Sequence, residues 1–448
     1  MRGMGKNDIL TKDGVSLILP FAMITTCFVV WGIGNDITAP MVKAFSKIFK
    51  ISVTEATMVQ VVFHLGYFLM AFPAAMFIQR YSFKSGILAA LGIYAVGALL
   101  FIPAKEIGLF TPFLGAYFVM TCGMSFLETA CNPYIYCMGT EYTAIRRLNL
   151  AQAFNAVGAL LGMFIALHFV QDRMSPLSSE IRRELPDIQW EIIKNHDLSI
   201  VIQPYMFIAA IVIVLLVLIR LQKMETSYDT HSDKPLLQSI KELWQIRNYR
   251  MGVLAEFIYM GAQVCCWTFI IQYGTRVLMA EGIDEGAADM LSQKYNVYAL
   301  ILFTVGRFVC TFLMNYLTAE RLLSFLAIAA MACVCGAILF TDRNGLYCLV
   351  LVSGCMSLMF PTIFGLSLRG LGENVKIGGG GLVMSLLGGS IFPVIQSLII
   401  DTNLHIGSLP ATNTSFIVPL ICFGVIAYYG HKSYLRHHVT GEYDVKRT

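Results

Sequence analysis

Charge is the scarcest commodity in this chain: Asp, Glu, Lys and Arg make up 13% of 448 residues, against 57% hydrophobic, and mean hydropathy is +0.68. An ordinary soluble domain carries about 25% charged residues, so a water-soluble globular protein is excluded. A nucleic-acid surface is excluded too. The net charge is only +4, and the cations are not gathered into a stripe with interleaved aromatics. The 12 cysteines lack arrangement rather than number. Cys122, Cys131, Cys265, Cys266 and Cys333 lie in apolar runs, without the paired spacing of a metal site or the framework of a secreted scaffold, and read as small buried hydrophobes. Catalytic signatures are missing as well: there is no nucleophile elbow and no HExxH. The glycines of VKIGGGGLVMSLLGGSIFP, residues 375–393, lack a P-loop lysine, so they fit close helix packing or a hinge. No enzyme chemistry, metal or cofactor is expected. The opening MRGMGKNDILTKDG runs into an apolar segment without an early cleavage site, so no removable signal peptide is read and the first helix is expected in the mature protein.

Long hydrophobic runs are what the sequence has. Segments of about 20 apolar residues, enough to cross the hydrocarbon core, fall near 15–35, 57–79, 84–103, 109–138, 148–170, 201–222, 250–274, 295–317, 321–341, 346–368, 378–400 and 414–430. An all-α polytopic membrane protein follows, with both termini on one side. If that side is cytoplasmic, the termini and inner loops hold 20 Lys plus Arg and the outer loops 11, with Arg307 inside a span; the bias fits the positive-inside rule. Four of the outer cations sit in one long loop around Arg182 and Arg183, where the rule weighs least.

The polar stretch LQKMETSYDTHSDKPLLQSIKELWQIRNYR separates two groups of six spans, predicting halves at 1–222 and 250–448 joined by a cytoplasmic linker at 223–249. An internal echo supports the halving. Pro133, Glu141 and Gly158 recur as Pro361, Glu373 and Gly389, at offsets of 228, 232 and 231. A parallel repeat of two six-span halves is the plan of the major facilitator fold.

Polar residues inside spans point to function, because an ionisable group in the hydrocarbon region costs several kcal/mol. Glu128, in TCGMSFLETACNPYIY, has no cation within a dozen positions and lies about 15 Å along the helix from Met138. A carboxyl whose hydration changes as a carrier opens to alternate sides can take up and release a proton; the competing reading is a protonated glutamate bridging helices. Asn132 shares its face. Asp36, in WGIGNDITAP, is either a functional carboxyl or one at a wet helix end, and the two glycines before it permit close backbone approach. Gln152 and Asn155, three residues apart, offer donors and acceptors suited to hydroxyl groups, while Tyr259, Gln263 and Trp267, at i, i+4 and i+8, place an amide between two aromatic faces. Each pattern also serves helix packing. His64 in the second span and Arg307 in the eighth are expected to be structural or gating, with a carboxylate or several carbonyls around Arg307. Glu256 reads as a solvated charge at a helix start.

The stretches FLETACNPYI (126–135), RLNLAQAFN (147–155), YMGAQVCCW (259–267), GRF (306–308) and PTIFGL (361–366) resemble the L-fucose/proton symporter family, the bacterial fucose permeases of the major facilitator superfamily. The resemblance spans nearly the whole chain. It implies a proton-coupled symporter importing L-fucose or a related hexose, in the bacterial inner membrane, probing only a small-molecule sugar, protons and the bilayer as partners, and monomeric. Its first-helix aspartate and fourth-helix glutamate match Asp36 and Glu128, which it assigns to proton coupling. Its sugar-binding positions match Gln152, Asn155, Tyr259, Gln263 and Trp267, with Asn132 beside them. His64 stands where a tyrosine is expected. A sodium-coupled or facilitative glucose, galactose or N-acetylglucosamine carrier is the alternative within transport; a membrane enzyme or receptor is the alternative outside it. A central cavity lined by Glu128, Asn132, Gln152, Asn155 and Gln263 is expected between the halves.

Overall fold

A computed structural model describes residues 9–12, 15–56, 58–177, 179–222, 235–404, 407 and 409–438. Twelve stretches are long and apolar enough to cross a membrane: Ile18–Val42, Met58–Arg80, Phe83–Ile107, Phe110–Cys137, Glu141–Arg173, Asp187–Leu221, Arg247–Ala280, Glu285–Leu313, Ala319–Leu339, Arg343–Leu368, Gly372–Asp401 and Ala411–His438. They are the first to twelfth spans below. Helices predominate because a helix satisfies its own backbone polar groups where water is absent. Two short strands, Thr11–Lys12 and Val15–Ser16, pair ahead of the first helix. Of the expected linker, residues 223–234 lie outside the described residues, and Leu236–Gln245 is a helix.

Local chemistry sets several helix ends. Side-chain oxygens of Ser82, Asp284 and Asp342 accept bonds from the backbone N–H groups of Ser85, Gly286 and Asn344, starting the third, eighth and tenth spans. The first helix runs unbroken from Ile18 to Phe49, past Pro40, and stops at Lys50 with φ of 56°. The chain then re-enters through a capping box. The Ser52 N–H donates to Glu55 at 2.8 Å and the Glu55 N–H donates to the Ser52 hydroxyl at 3.1 Å. The Ser52 N–H foremost, and the Ser52 hydroxyl that donates to the same Glu55 oxygen at 2.9 Å, hold the exposed Glu55 carboxyl below its usual range. The box is therefore complete at neutral pH and weakens as pH falls through the lowered pKa.

The chain divides into two compact units: Lys12–Met138 with Phe154–Asp233, and Met1–Thr11 with Gly139–Ala153 and Lys234–Thr448. In the first unit the fourth span packs on the second and third, and the sixth packs on the third and first. Glycines bring backbones together. A Cβ on Gly97 would run into the backbone of Met120, and one on Gly123 into the backbone of Tyr94, so the third and fourth spans touch main chain to main chain. Gly97→Ala should cost about 1–3 kcal/mol by overpacking, read as a lower melting temperature in detergent; an unchanged melting point would refute this contact.

The second unit repeats these pairings: the tenth span packs on the eighth and ninth, and the twelfth packs on the ninth and seventh. The echo in the sequence has a structural counterpart. Glu141 and Glu373 each fall in a three-residue 3-10 turn that leads into the next helix. Gly158 lies against the Val29 carbonyl of the first span, and Gly389 against Val264 of the seventh. A basic residue also recurs. Lys84 donates to the Arg220 and Gln222 carbonyls at the end of the sixth span, at 3.0 and 2.8 Å, and Arg321 reaches the Tyr434 hydroxyl near the end of the twelfth. Residues 139–153 group with the second unit through bonds such as Asn149 Nδ2 to Thr362 Oγ1 at 3.1 Å.

The long connection between the fifth and sixth spans is pinned from within. Arg182 and Asp197 form a fully buried pair at 2.7 Å, while Arg182 donates to the Leu177 and Ser175 carbonyls and Asp197 accepts the Ser175 N–H. A cation that the charge rule counts as free is thus a structural one. Among the described cysteines all 12 are free; Cys335 is exposed and eight are buried.

Candidate functional site

The fourth span, Phe110–Cys137, is buried without a break from Met120 to Cys137. That run places Glu128 inside the unit, 3% exposed, and nine residues before Cys137, about 14 Å along the axis. Its Oε2 is buried and has no hydrogen-bond partner among the described residues. Asn132, one turn on, is fully buried. The second span adds Tyr67, held in place where its carbonyl accepts the Ser125 hydroxyl at 3.1 Å and where Trp31 stands edge-on to its ring at 6.4 Å. Tyr67 is thus a buried phenol on the second span, packed against Trp31 of the first.

Asp36 is half-buried in the first span and accepts a bond from Asn35 Nδ2 at 3.1 Å. The glycines before it serve packing. A Cβ on Gly32 would strike the Asn155 carbonyl, and one on Gly34 the Tyr94 hydroxyl, which donates to the Val30 carbonyl at 3.2 Å. Asn155 is thereby set against the first span. His64 is exposed on the second span and its Nδ1 meets the Gln60 carbonyl of its own helix at 2.8 Å. Tyr67, three residues on, is the buried member of that segment.

The other polar candidates belong to the second unit. Arg307, 4% exposed, is surrounded by carbonyls rather than a carboxylate. Its Nε donates to the Ser357 carbonyl, its Nη1 to the Gln152 carbonyl at 2.9 Å, and its guanidinium lies 4.4 Å from the centre of the Phe303 ring. It ties the eighth span to the fifth and the tenth. Phe303 in turn meets Trp267 edge-on at 5.0 Å. Along the seventh span, Tyr259 is fully buried with its hydroxyl donating to the Met356 carbonyl at 3.1 Å, Gln263 is 8% exposed, and the half-buried Trp267 donates from Nε1 to Ser353 Oγ at 3.1 Å. The polar ends of both aromatics are thus committed to the tenth span, which leaves the Trp267 ring as the available aromatic surface.

Glu256 departs from expectation. The seventh helix begins at Arg247, so Glu256 lies nine residues inside it and is fully buried instead of capping a solvated end. The glycine-rich stretch 375–393 breaks into helices Val375–Met384 and Gly388–Asp401 around a 3-10 turn, Ser385–Leu387. Gly388 there lies against the Phe257 carbonyl of the seventh span. Tyr67 and Phe303 were missed by sequence reasoning, although Phe303 sits four residues before Arg307, where a helix stacks a ring under a guanidinium.

Chemically, the first unit carries two carboxyls, a phenol and two amides within its spans, and the second carries amide, hydroxyl and indole groups and a fixed guanidinium. Comparison with known proteins sets this arrangement among relatives. Residues 24–393 match the Major Facilitator Superfamily. The chain is 42% identical over 423 residues to the L-fucose-proton symporter of Haemophilus influenzae, covering 93% of this chain and 97% of that protein. It is 33% identical over 416 residues to the L-fucose-proton symporter of Escherichia coli, covering 92% of each. A crystal structure of the Escherichia coli fucose:proton symporter aligns with a TM-score of 0.84 at 31% identity, covering 93% of this chain and 98% of that one.

Proposed function

The chain belongs to the Major Facilitator Superfamily, and from that premise we propose that it is a proton-coupled symporter importing L-fucose or a related hexose by alternating access. The observation that carries this reading is Glu128: a carboxyl deep in a span, 3% exposed, with one oxygen unpartnered among the described residues. A permanent structural bridge would engage its oxygens in bonds to neighbouring helices. A group that must exchange a proton keeps one available, and hydration that changes with the open side drives the exchange. Relatives named as L-fucose-proton symporters supply the sugar class.

In this reading the protein sits in the bacterial inner membrane as a monomer with both termini cytoplasmic, and has no catalytic activity of its own. The bodies that rock are the halves 1–222 and 250–448, joined by the linker 223–249, with the sugar held by Asn132, Gln152, Asn155, Gln263 and Trp267. Tyr259 anchors the seventh span beside them, and Arg307 and His64 take structural or gating roles. Asp36, nearer the outer mouth, meets external protons; Glu128, deeper, links protonation to sugar binding.

The test is counterflow in proteoliposomes with labelled L-fucose, challenged in turn by unlabelled galactose, glucose and N-acetylglucosamine. Exchange of L-fucose, competed by the sugars the site accepts, is expected. Failure of every sugar to exchange would turn the reading toward a receptor or enzyme, and sodium-stimulated uptake without alkalinisation would replace the proton. For the outer carboxyl, Asp36→Asn should abolish most sugar-driven alkalinisation of a lightly buffered medium. Wild-type alkalinisation in that variant would remove Asp36 from the proton path.

A further inference from the structure

We propose that the outer part of the seventh span carries a second sugar subsite, a vestibule where a neutral pyranose docks through paired hydroxyls before it descends to Gln263 and Trp267. The inference rests on the transport reading above and extends it to a place that reading does not use. An open depression with a volume of about 680 Å³ lies within the second unit, room for a monosaccharide with its water. Its polar lining is Thr268, Gln272, Thr275 and Arg276 of the seventh span, Asp289 of the eighth and Thr412 at the start of the twelfth.

Two of these groups have unused hydrogen-bonding capacity. Arg276 is fixed by its Nη2, which donates to Asn413 Oδ1 at 2.6 Å, and by the Tyr273 ring, 5.3 Å from the guanidinium. Its buried Nε has no partner among the described residues, nor has the buried Oγ1 of Thr412. The anchor itself is rigid, because Asn413 Nδ2 donates to the Ala337 and Phe340 carbonyls at 2.9 and 2.8 Å. Asp289 takes a bond from Gln293 Nε2 on Oδ2, at 3.0 Å. Both unpartnered atoms are shielded in this conformation, so a small turn of either side chain brings the unmade group to a ligand and recovers the free energy that its burial costs.

The composition selects the ligand class. One cation and one carboxylate cancel, so a net anion gains little, whereas hydroxyls, an amide, a guanidinium and a carboxylate offer donors and acceptors together, as a vicinal diol requires. Position selects the role. Gln263, Trp267, Ile271 and Thr275 follow at steps of four on one helix face, so the vestibule continues the stripe already assigned to sugar. Arg276 is nine residues beyond Trp267, about 14 Å along the axis. With the linker cytoplasmic, that direction is outward.

The experiment is initial-rate transport of labelled L-fucose in right-side-out and inside-out membrane vesicles, with Arg276→Gln, Arg276→Lys and Thr412→Val beside wild type. Arg276→Gln should raise the KM for external sugar about tenfold, the worth of one charged hydrogen bond, and leave the KM at the cytoplasmic face unmoved. Thr412→Val, which removes a hydroxyl from an isosteric side chain, should raise the external KM about threefold at an unchanged melting temperature. Arg276→Lys should restore part of the loss. A purely structural Arg276 would instead lower the maximal rate equally from both faces, and that result, or an external KM unmoved in both variants, overturns the subsite. If wild type itself moves no sugar, the transport reading has failed, and the vestibule falls with it.

Discussion

Glu128→Gln is expected to keep sugar exchange and lose accumulation driven by a pH gradient. Glutamine matches the protonated acid in size and charge, so the substituted carrier mimics the loaded state, which binds sugar and changes sides without moving a proton. Counterflow asks for nothing more. Net accumulation asks for the proton to leave on the inside, and an amide has none to release. With one proton per sugar, each pH unit of gradient supplies about 1.4 kcal/mol, about tenfold accumulation; the variant should stay at a ratio of about 1 while its counterflow rate remains near wild type. The buried position of Glu128 makes the comparison clean, because glutamine fits the same 3% exposed site without opening a cavity. Both assays belong on one preparation at matched expression. Gradient-driven uptake that survives the substitution would show that Glu128 is a helix bridge and that coupling lies elsewhere.

Arg307→Met should have the largest effect of any single substitution in the second unit. The guanidinium satisfies the Ser357 and Gln152 carbonyls and stacks on Phe303. Methionine fills similar volume and donates nothing. Two buried acceptors are then left unmade, at about 1–3 kcal/mol each, and a desolvated cation–π contact worth about 2 kcal/mol is lost. The expected results are a melting temperature well below wild type and counterflow reduced at least about tenfold, since 1.4 kcal/mol already corresponds to that factor. Lysine should fall between, because a point charge reaches one carbonyl where the planar fork reaches two. Wild-type melting and counterflow in Arg307→Met would dismiss the clamp.

The twelve spans were legible because apolar length alone identifies a membrane helix, but their ends were not. The sixth was read from residue 201 and begins at Asp187; the eighth was read from 295 and begins at Glu285. Both helices outlast the apolar run. Asp187–Leu221 has 35 residues, about 52 Å at the helical rise, against about 30 Å of hydrocarbon, and its polar first half is stabilised by the buried Arg182–Asp197 pair, which no window on hydropathy can register. Glu256 was misjudged for the same reason. Its burial depends on the helix beginning at Arg247, a boundary that the apolar run starting near 250 left blurred.

Among the site residues, Glu128 was legible because a lone carboxyl contrasts sharply with its neighbours. Tyr67 was not, since a tyrosine in an apolar span is unremarkable until tertiary structure buries it against Trp31 and the fourth span. The partners of Arg307 could be foreseen only as a class. Main-chain carbonyls leave no mark in a sequence, so nothing pointed to Ser357 or Gln152 in particular.

The echo between the two units bears on how this chain came to divide its labour. At the offset of 228 that relates Pro133 to Pro361, Glu128 corresponds to Met356 and Asn132 to Phe360; at the offset of 231 that relates Gly158 to Gly389, Gln152 corresponds to Val383 and Asn155 to Leu386. Each of these four polar candidates in the earlier copy meets an apolar residue in the later one, while Pro133 and Gly158 recur. An ancestral duplication of this kind keeps the scaffold twice while the buried polar groups diverge: Glu128 belongs to the earlier copy, Arg307 and Glu256 to the later. The symmetry that builds the fold is therefore broken at these polar positions: a carrier with Glu128 repeated in both copies would hold two competing buried carboxyls, whereas here Met356 stands at the matching place.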